Sequence, residues 1–144
     1  MDYTVRDVEK SDLDEIHKIE EESFFCPFSQ KQFLHLYIDY KKTFFVAEKD
    51  KEILGYIIGV RGFRKIIIGS IAVKESYRRK GLATKLLNHL IEKVRGKIKK
   101  IELQVRISDK GAILFYEEMG FTYKGILPLY YPDGEDAVLY DKSL

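Results

Sequence analysis

Cysteine is nearly absent. Cys26 is the only one, so no disulfide can form within the chain and no cysteine cluster can hold a metal. A lone thiol of this kind is expected to be buried or inert. Tryptophan is missing, and Asn88 is the only asparagine, while lysine, isoleucine and glutamate are frequent. That balance resembles thermophile composition. Long apolar runs are also missing: nothing approaches the ~20 residues that a membrane-spanning helix needs. The start, Met1 to Arg6, lacks the basic region and apolar stretch of a signal peptide. Charge of one sign is not in excess, with 25 Lys and Arg against 23 Asp and Glu, a net charge of +2. This argues against a general nucleic-acid binder, and local basic spots are better read as small anion sites. His17, His35 and His89 have no metal-ligand spacing and are expected at the surface or in helix packing. The expectation is a cytoplasmic protein without membrane or nucleic-acid partners and without a metal.

What is present suits one domain over residues 1–144, with 45% hydrophobic residues to form its core. Tyr3 to Asp7 alternates like a strand. Ser11-Asp12-Leu13-Asp14 resembles a capping-box start, and Leu13, Ile16, Ile19 and Phe24 follow at helical spacing up to Cys26-Pro27. Ser29 caps a second helix carrying Phe33, Leu34, Leu36 and Tyr37. Thr43 to Glu48 and Ile53 to Val60 form a hairpin about Asp50-Lys51, and Ile66 to Val73 is an apolar run fit for a sheet centre. Leu82, Leu86, Leu87, Leu90, Ile91 and Val94 mark one face of a long helix stopped near Gly96. A strand from Ile101 to Val105 follows, then a helix from Lys110 to Met119 ended by Gly120. Strands at Phe121 to Leu129 and Ala137 to Tyr140 are joined by Pro132-Asp133-Gly134-Glu135. The order β-α-α-β-β-β-α-β-α-β-β gives an α/β (α+β) fold with a mixed, mostly antiparallel sheet and helices on its faces.

The richest stretch is Ser70 to Thr84, an apolar strand running through a basic turn, Arg78-Arg79-Lys80-Gly81-Leu82-Ala83, into the long helix. Gly81 and the small Ala83 let the main chain approach a ligand. The first N–H groups of the helix, at the positive end of its dipole, face an anion, and Arg78, Arg79 and Lys80 add charge. The spacing is neither that of a dinucleotide-binding turn nor that of a nucleoside-triphosphatase loop. It resembles the acetyl-coenzyme A signature of the GNAT acetyltransferases, Gln/Arg-x-x-Gly-x-Gly/Ala.

Further segments resemble the same family in the same order. They are Leu103 to Asp109 followed by Ala112 to Phe121, the tyrosine hairpin Tyr130-Tyr131-Pro132-Asp133-Gly134-Glu135-Asp136-Ala137, and the bend Cys26-Pro27-Phe28-Ser29. Together they span essentially the whole chain, and the tyrosine hairpin is similar to that of the protein N-terminal acetyltransferase branch.

The resemblance implies the roles. Arg78, Arg79, Lys80, Gly81, Leu82, Ala83 and Thr84 would hold the coenzyme A diphosphate, mainly by backbone N–H groups. Ile71, Ala72 and Val73 would pair with the pantetheine arm like an added strand, with an N–H there for the acetyl oxygen. This implies that the strands ending at Val73 and starting near Glu102 splay apart in a V. Asp109 stands where family members commonly have Asn at the cofactor; Asp accepts hydrogen bonds and does not donate. Tyr116 would be the general acid for the departing thiolate. Phe28, Tyr130 and Tyr131 would frame the peptide entrance, with Glu135 and Asp136 bracing the hairpin.

The base stays open. Bacterial members carry Glu where this chain has Gln104, which cannot take a proton. Glu102 lies two residues earlier on the same strand face, ~7 Å away. It could work through a water or be a solvated strand-end charge. Tyr131 through a water and direct attack by the neutral amine are the other options. The implied activity is acetyl-CoA-dependent acetylation of a protein N-terminal α-amine in a ternary complex. A small-molecule amine acetyltransferase and a non-catalytic acetyl-CoA-binding module are the alternatives. Ribosome association, an auxiliary subunit, and the choice between monomer and weak dimer are left open.

Overall fold

The structure, a computed structural model, describes residues 2–144. Its strands are β1 (Thr4–Asp7), β2 (Phe44–Lys49), β3 (Glu52–Arg61), β4 (Lys65–Val73), β5 (Lys100–Arg106), β6 (Thr122–Leu127) and β7 (Ala137–Ser143). Its helices are α1 (Leu13–Ser23), α2 (Gln30–Tyr40), α3 (Leu82–Val94) and α4 (Lys110–Glu118). The expected element order holds throughout. The strands hydrogen-bond in the order β1-β2-β3-β4-β5-β7-β6. Residue contacts gather into two compact units: residues up to Val60 with Gly69–Val94, and Arg61–Ile68 with Arg95–Leu144. Strand β4 contributes to both.

In the first unit, β2 pairs antiparallel with β1 and β3, and the turn at Asp50 and Lys51 takes positive φ at both residues, as a tight hairpin requires. Alternation along β2 sends side chains two ways. Phe44 and Val46 join Ile16 and Ile19 of α1, Phe33 of α2, and Tyr56 and Ile58 of β3 in one core. Phe45 turns the other way and meets the His89 ring of α3 edge-on at 4.6 Å. The α3 stripe Leu82, Leu86, Leu87, Leu90, Ile91 and Val94 is buried as its spacing predicts. Burying each such leucine stabilises by roughly 1.5–3 kcal/mol. Gly55 is required by packing: a Cβ there would lie 2.8 Å from the Ala72 carbonyl oxygen.

The start of α1 differs from the expected Ser11 box. A 3-10 turn at Lys10–Asp12 precedes it, whose reciprocal capping bonds join Glu9 and Asp12, and the Asp12 carboxylate accepts from Glu9 N at 2.7 Å and from Arg6 at 2.9 Å. Arg6 also binds Glu48 across the β1–β2 pair at 3.0 Å. Asp12 is thus tied back to β1 by a charged hydrogen bond. The box expected for α2 is present, Ser29 Oγ taking the Gln32 N–H at 3.1 Å and Gln32 Oε1 the Ser29 N–H at 2.8 Å.

In the second unit, β4 and β5 run parallel over Lys65–Ile67 and Lys100–Glu102, and β5 pairs antiparallel with β7 along its whole length. Ile101, Leu103 and Val105 are buried, so Lys100, Glu102, Gln104 and Arg106 share the opposite face. Strand β6 ends at Leu127, short of the expected Leu129, because Leu129 takes φ 53°, which an extended strand excludes. Strand β7 runs on to Ser143. Cys26 is exposed rather than buried, because the chain has left α1 for the bend before α2. No described helix is long and apolar enough to cross a membrane.

Candidate active site

The basic turn is built in the first unit. Leaving β4, the chain makes a 3-10 turn at Glu75–Tyr77, extends at Arg78, and enters the left-handed region at Arg79 (φ 63°) and Gly81 (φ 85°) before α3 starts. Gly81 is conformationally required, and a Cβ there would meet no atom within 4 Å, so its surface faces open space. The first α3 bond runs from Lys85 N to Gly81 O at 3.1 Å, which leaves the N–H groups of Leu82, Ala83 and Thr84 without intrahelical acceptors. Arg78 does not point its charge outward. Its Nε donates to the Val73 carbonyl at 2.9 Å and an Nη to Ser23 Oγ at 3.0 Å, so it shapes the turn. Lys80 Nζ lies 5.5 Å from the Tyr77 ring centre. These features fit a diphosphate bound by main-chain donors.

The last residues of β4 also fit their implied role. Lys74 N bonds Leu54 O of β3 at 2.8 Å. By strand alternation the N–H groups of Ile71 and Val73 therefore point away from β3, as does the Ile71 carbonyl. Ala72 is buried and points its peptide groups to β3.

Sequence reasoning missed a buried polar node beneath the Phe28 bend. Glu20 is 3% exposed. One of its oxygens accepts from Tyr56 Oη and from Ser70 Oγ at 2.7 Å, the other from Phe28 N at 2.9 Å. Tyr56 Oη and Ser70 Oγ are 3.1 Å apart. Burial first, then the Glu20 charge, holds the Tyr56 phenol well above its usual range. The available signal was a carboxylate four residues from Ile16, on the face α1 buries. Phe28 is half-buried, with its ring edge-on to Phe33 at 5.7 Å. A cavity of about 320 Å³ opens beside it, lined by Phe28, Lys31, Gln32, His35 and Leu36.

The remaining site residues lie in the second unit. Tyr116 is buried on α4 and packs edge-on against Phe121 at 5.5 Å. Burial, then the charges of Asp109 and Tyr131, pushes its phenol far up, so it is a neutral donor at all ordinary pH. Asp109 is the N-cap of α4, its Oδ1 accepting from Ala112 N at 3.1 Å. Capping needs an acceptor only, so Asp serves as well as Asn.

The tyrosine turn hangs on Arg106, whose importance sequence reasoning also missed. One Nη donates to Asp133 and to Glu135 at 2.8 Å each, and the guanidinium carbon sits 4.2 Å from the Tyr131 ring centre. Glu135 also accepts from Ser108 N at 2.9 Å, which, with Arg106, holds its carboxyl below the usual range. Asp136 takes Leu129 N at 2.9 Å. Both acids therefore brace the turn. Tyr130 and Tyr131 meet edge-on at 5.0 Å. Burial, then Tyr130, pushes Tyr131 up to about 12, so at neutral pH it carries its proton. Glu102 is not gathered with these groups: its Oε2 is held by Lys65 at 3.1 Å and Lys100 at 3.6 Å. Among the described residues no three His, Cys, Asp or Glu side chains gather as a metal centre.

Known proteins resemble this chain over most of its length. Residues 13–121 match the acetyltransferase (GNAT) family. An N-alpha-acetyltransferase of Saccharolobus solfataricus is 36% identical, covering 99% of this chain and 94% of the relative. The [ribosomal protein bS18]-alanine N-acetyltransferase of Escherichia coli K12 is 31% identical, with 94% of each covered. The crystal structure of Ard1 from Thermoplasma volcanium superposes with a TM-score of 0.94 at 26% identity, over 99% of this chain and 97% of that one. With a family match over most of its length and full-length relatives above 30% identity, this chain belongs to the GNAT acetyltransferase family.

Proposed function

We propose that residues 1–144 act as one acetyl-CoA-dependent N-alpha-acetyltransferase domain that transfers acetyl to the α-amine of a protein N-terminus by direct attack. Acetyl-CoA supplies the activated acyl group as a thioester. Backbone N–H groups from Gly81 to Thr84 hold its diphosphate, with Arg79 and Lys80 adding charge and the Arg78 side chain fixing the turn. Ile71 and Val73 present N–H groups to the pantetheine arm and to the acetyl oxygen as charge develops on it. The Arg78 bond to the Val73 carbonyl leaves the Val73 N–H for this purpose.

Tyr116 donates to the departing sulfur. A phenol raised so far does so best as a strong hydrogen bond, since a thiol of pKa near 8.5 is the stronger acid. Phe28, Tyr130 and Tyr131 wall the peptide entrance. For the amine proton, Glu102 has Oε1 to offer a relay water while Oε2 stays with its lysines. Tyr131, protonated at neutral pH, serves only as a relay hydroxyl. An α-amine of pKa about 8 is several per cent neutral at pH 7, so attack by that fraction needs no strong base. A cytoplasmic setting suits the single exposed thiol.

The observation that carries this reading is the open, left-handed Gly81 ahead of the unpaired α3 N–H groups. Its test is acetyl transfer from acetyl-CoA to peptides varied at their first two residues, with free lysine and polyamines as controls. Preference for peptide α-amines supports it. Equal or better use of the small amines points to a small-molecule enzyme, and cofactor binding without turnover to a sensor.

A further inference from the structure

Two basic turns far apart in sequence meet in the second unit. The β3–β4 turn is Arg61-Gly62-Phe63-Arg64-Lys65, and the α3–β5 connection is Arg95-Gly96-Lys97-Ile98-Lys99-Lys100. These two segments hold three and four basic residues and no acid, in a chain whose net charge is only +2. Lys99 N donates to the Arg64 carbonyl at 2.9 Å, and the parallel ladder begins next to it at Lys65 and Lys100. Lys65 and Lys100 are occupied by Glu102, and Lys100 also by Asp141. Asp141 in turn lies 3.7 Å from Lys124. The side chains of Arg61, Arg64, Lys97 and Lys99 are exposed. On the first of these turns stands Phe63, 85% exposed, with the Arg64 guanidinium 5.4 Å from its ring centre. The ring thus stands on a basic surface, with the Arg64 cation already against one part of it.

We propose that this tip is a docking surface for single-stranded RNA. Cations alone would serve any polyanion; the projecting ring selects one whose bases are free to stack, since an exposed aromatic face binds an unpaired base of any sequence. An acidic peptide would use the charges and leave Phe63 idle. Nothing in this surface depends on the acetyl-transfer reading.

The test is fluorescence anisotropy of the full chain with a labelled oligo-uridine RNA, in 50 to 200 mM salt. Four phosphate contacts at about −0.7 each give a log–log slope near −3, so affinity should fall about fiftyfold over that range. Phe63→Ala should weaken the single strand about tenfold and leave an RNA duplex unaffected. Arg61→Glu with Arg64→Glu, and separately Lys97→Glu with Lys99→Glu, should abolish binding while peptide acetylation keeps wild-type kinetics. The proposal is overturned by no RNA binding at 50 mM salt, or by reversal variants that bind normally. It is equally overturned if polyglutamate or phosphatidylglycerol vesicles bind as tightly as the RNA, or if the reversals cost acetylation as much as binding.

Discussion

At the scale of single residues, environment decides what each tyrosine can do. Tyr116 is buried beside Asp109, and both its burial and that charge oppose ionisation. It can therefore support a leaving thiolate only by donating a hydrogen bond it never loses. Replacing it with phenylalanine should lower kcat about 10²-fold while the KM for acetyl-CoA moves less than about twofold, as steady-state kinetics would show. Unchanged turnover would remove Tyr116 from the chemistry. Tyr131, pushed up to about 12, cannot produce an ionisation below pH 9. The pH profile of kcat/KM should rise with the α-amine near 8, and Tyr131→Phe should keep that limb.

The same shift has a stability sign. Below pH 10 Tyr131 is neutral folded and unfolded, so its contribution is complete there. Between pH 10 and about 12 the unfolded chain ionises first and the contribution is lost. Denaturant titration across that window should show Tyr131→Phe losing about 1–2 kcal/mol less than wild type, after allowance for solvent screening.

At the scale of elements, the Glu20 node ties helix α1, strands β3 and β4 and the Phe28 bend through one carboxylate. Glu20→Ala would leave the part-buried Phe28 N–H and one hydroxyl of the Tyr56–Ser70 pair without an acceptor and should cost about 2–3 kcal/mol in urea unfolding. Glu20→Gln keeps acceptor lone pairs and should recover most of that stability. If Phe28 walls the acceptor entrance, the glutamine variant should still show a raised peptide KM with an unchanged KM for acetyl-CoA. The turn before α3 is another element with one controlling residue. Gly81→Glu puts bulk and negative charge where φ 85° already disfavours a side chain. It should abolish acetyl-CoA binding in calorimetry; retained affinity would refute the diphosphate cradle.

At the scale of the whole molecule, binding and stability are linked. Saturation of the native protein with acetyl-CoA at ~100 times its Kd should add about 2.7 kcal/mol, raising the melting midpoint by roughly 5–10 °C. The Gly81→Glu protein should show no such rise. The same scale explains the charge pattern. A net charge of +2 describes the chain, yet Arg64 and Lys99 stand side by side only because β4 and β5 pair in parallel at their starts.

What the sequence by itself determined was local and periodic. Helices α1 to α4, the β2–β3 hairpin and the left-handed Gly81 follow from side-chain spacing and from the few residues that tolerate positive φ, because those preferences act within a turn or two of the chain. The basic turn was legible as a candidate anion site for the same reason: its free N–H groups are consecutive backbone groups. Tertiary structure alone decided what depends on partners far along the chain. It took Arg6 to engage the Asp12 carboxylate ahead of α1, Tyr56 and Ser70 to make Glu20 a buried junction, Asp133 and Glu135 to turn Arg106 into the anchor of the tyrosine turn, and Lys65 to occupy Glu102. A charge finds its partner by distance in space, and spacing along the chain carries no record of it.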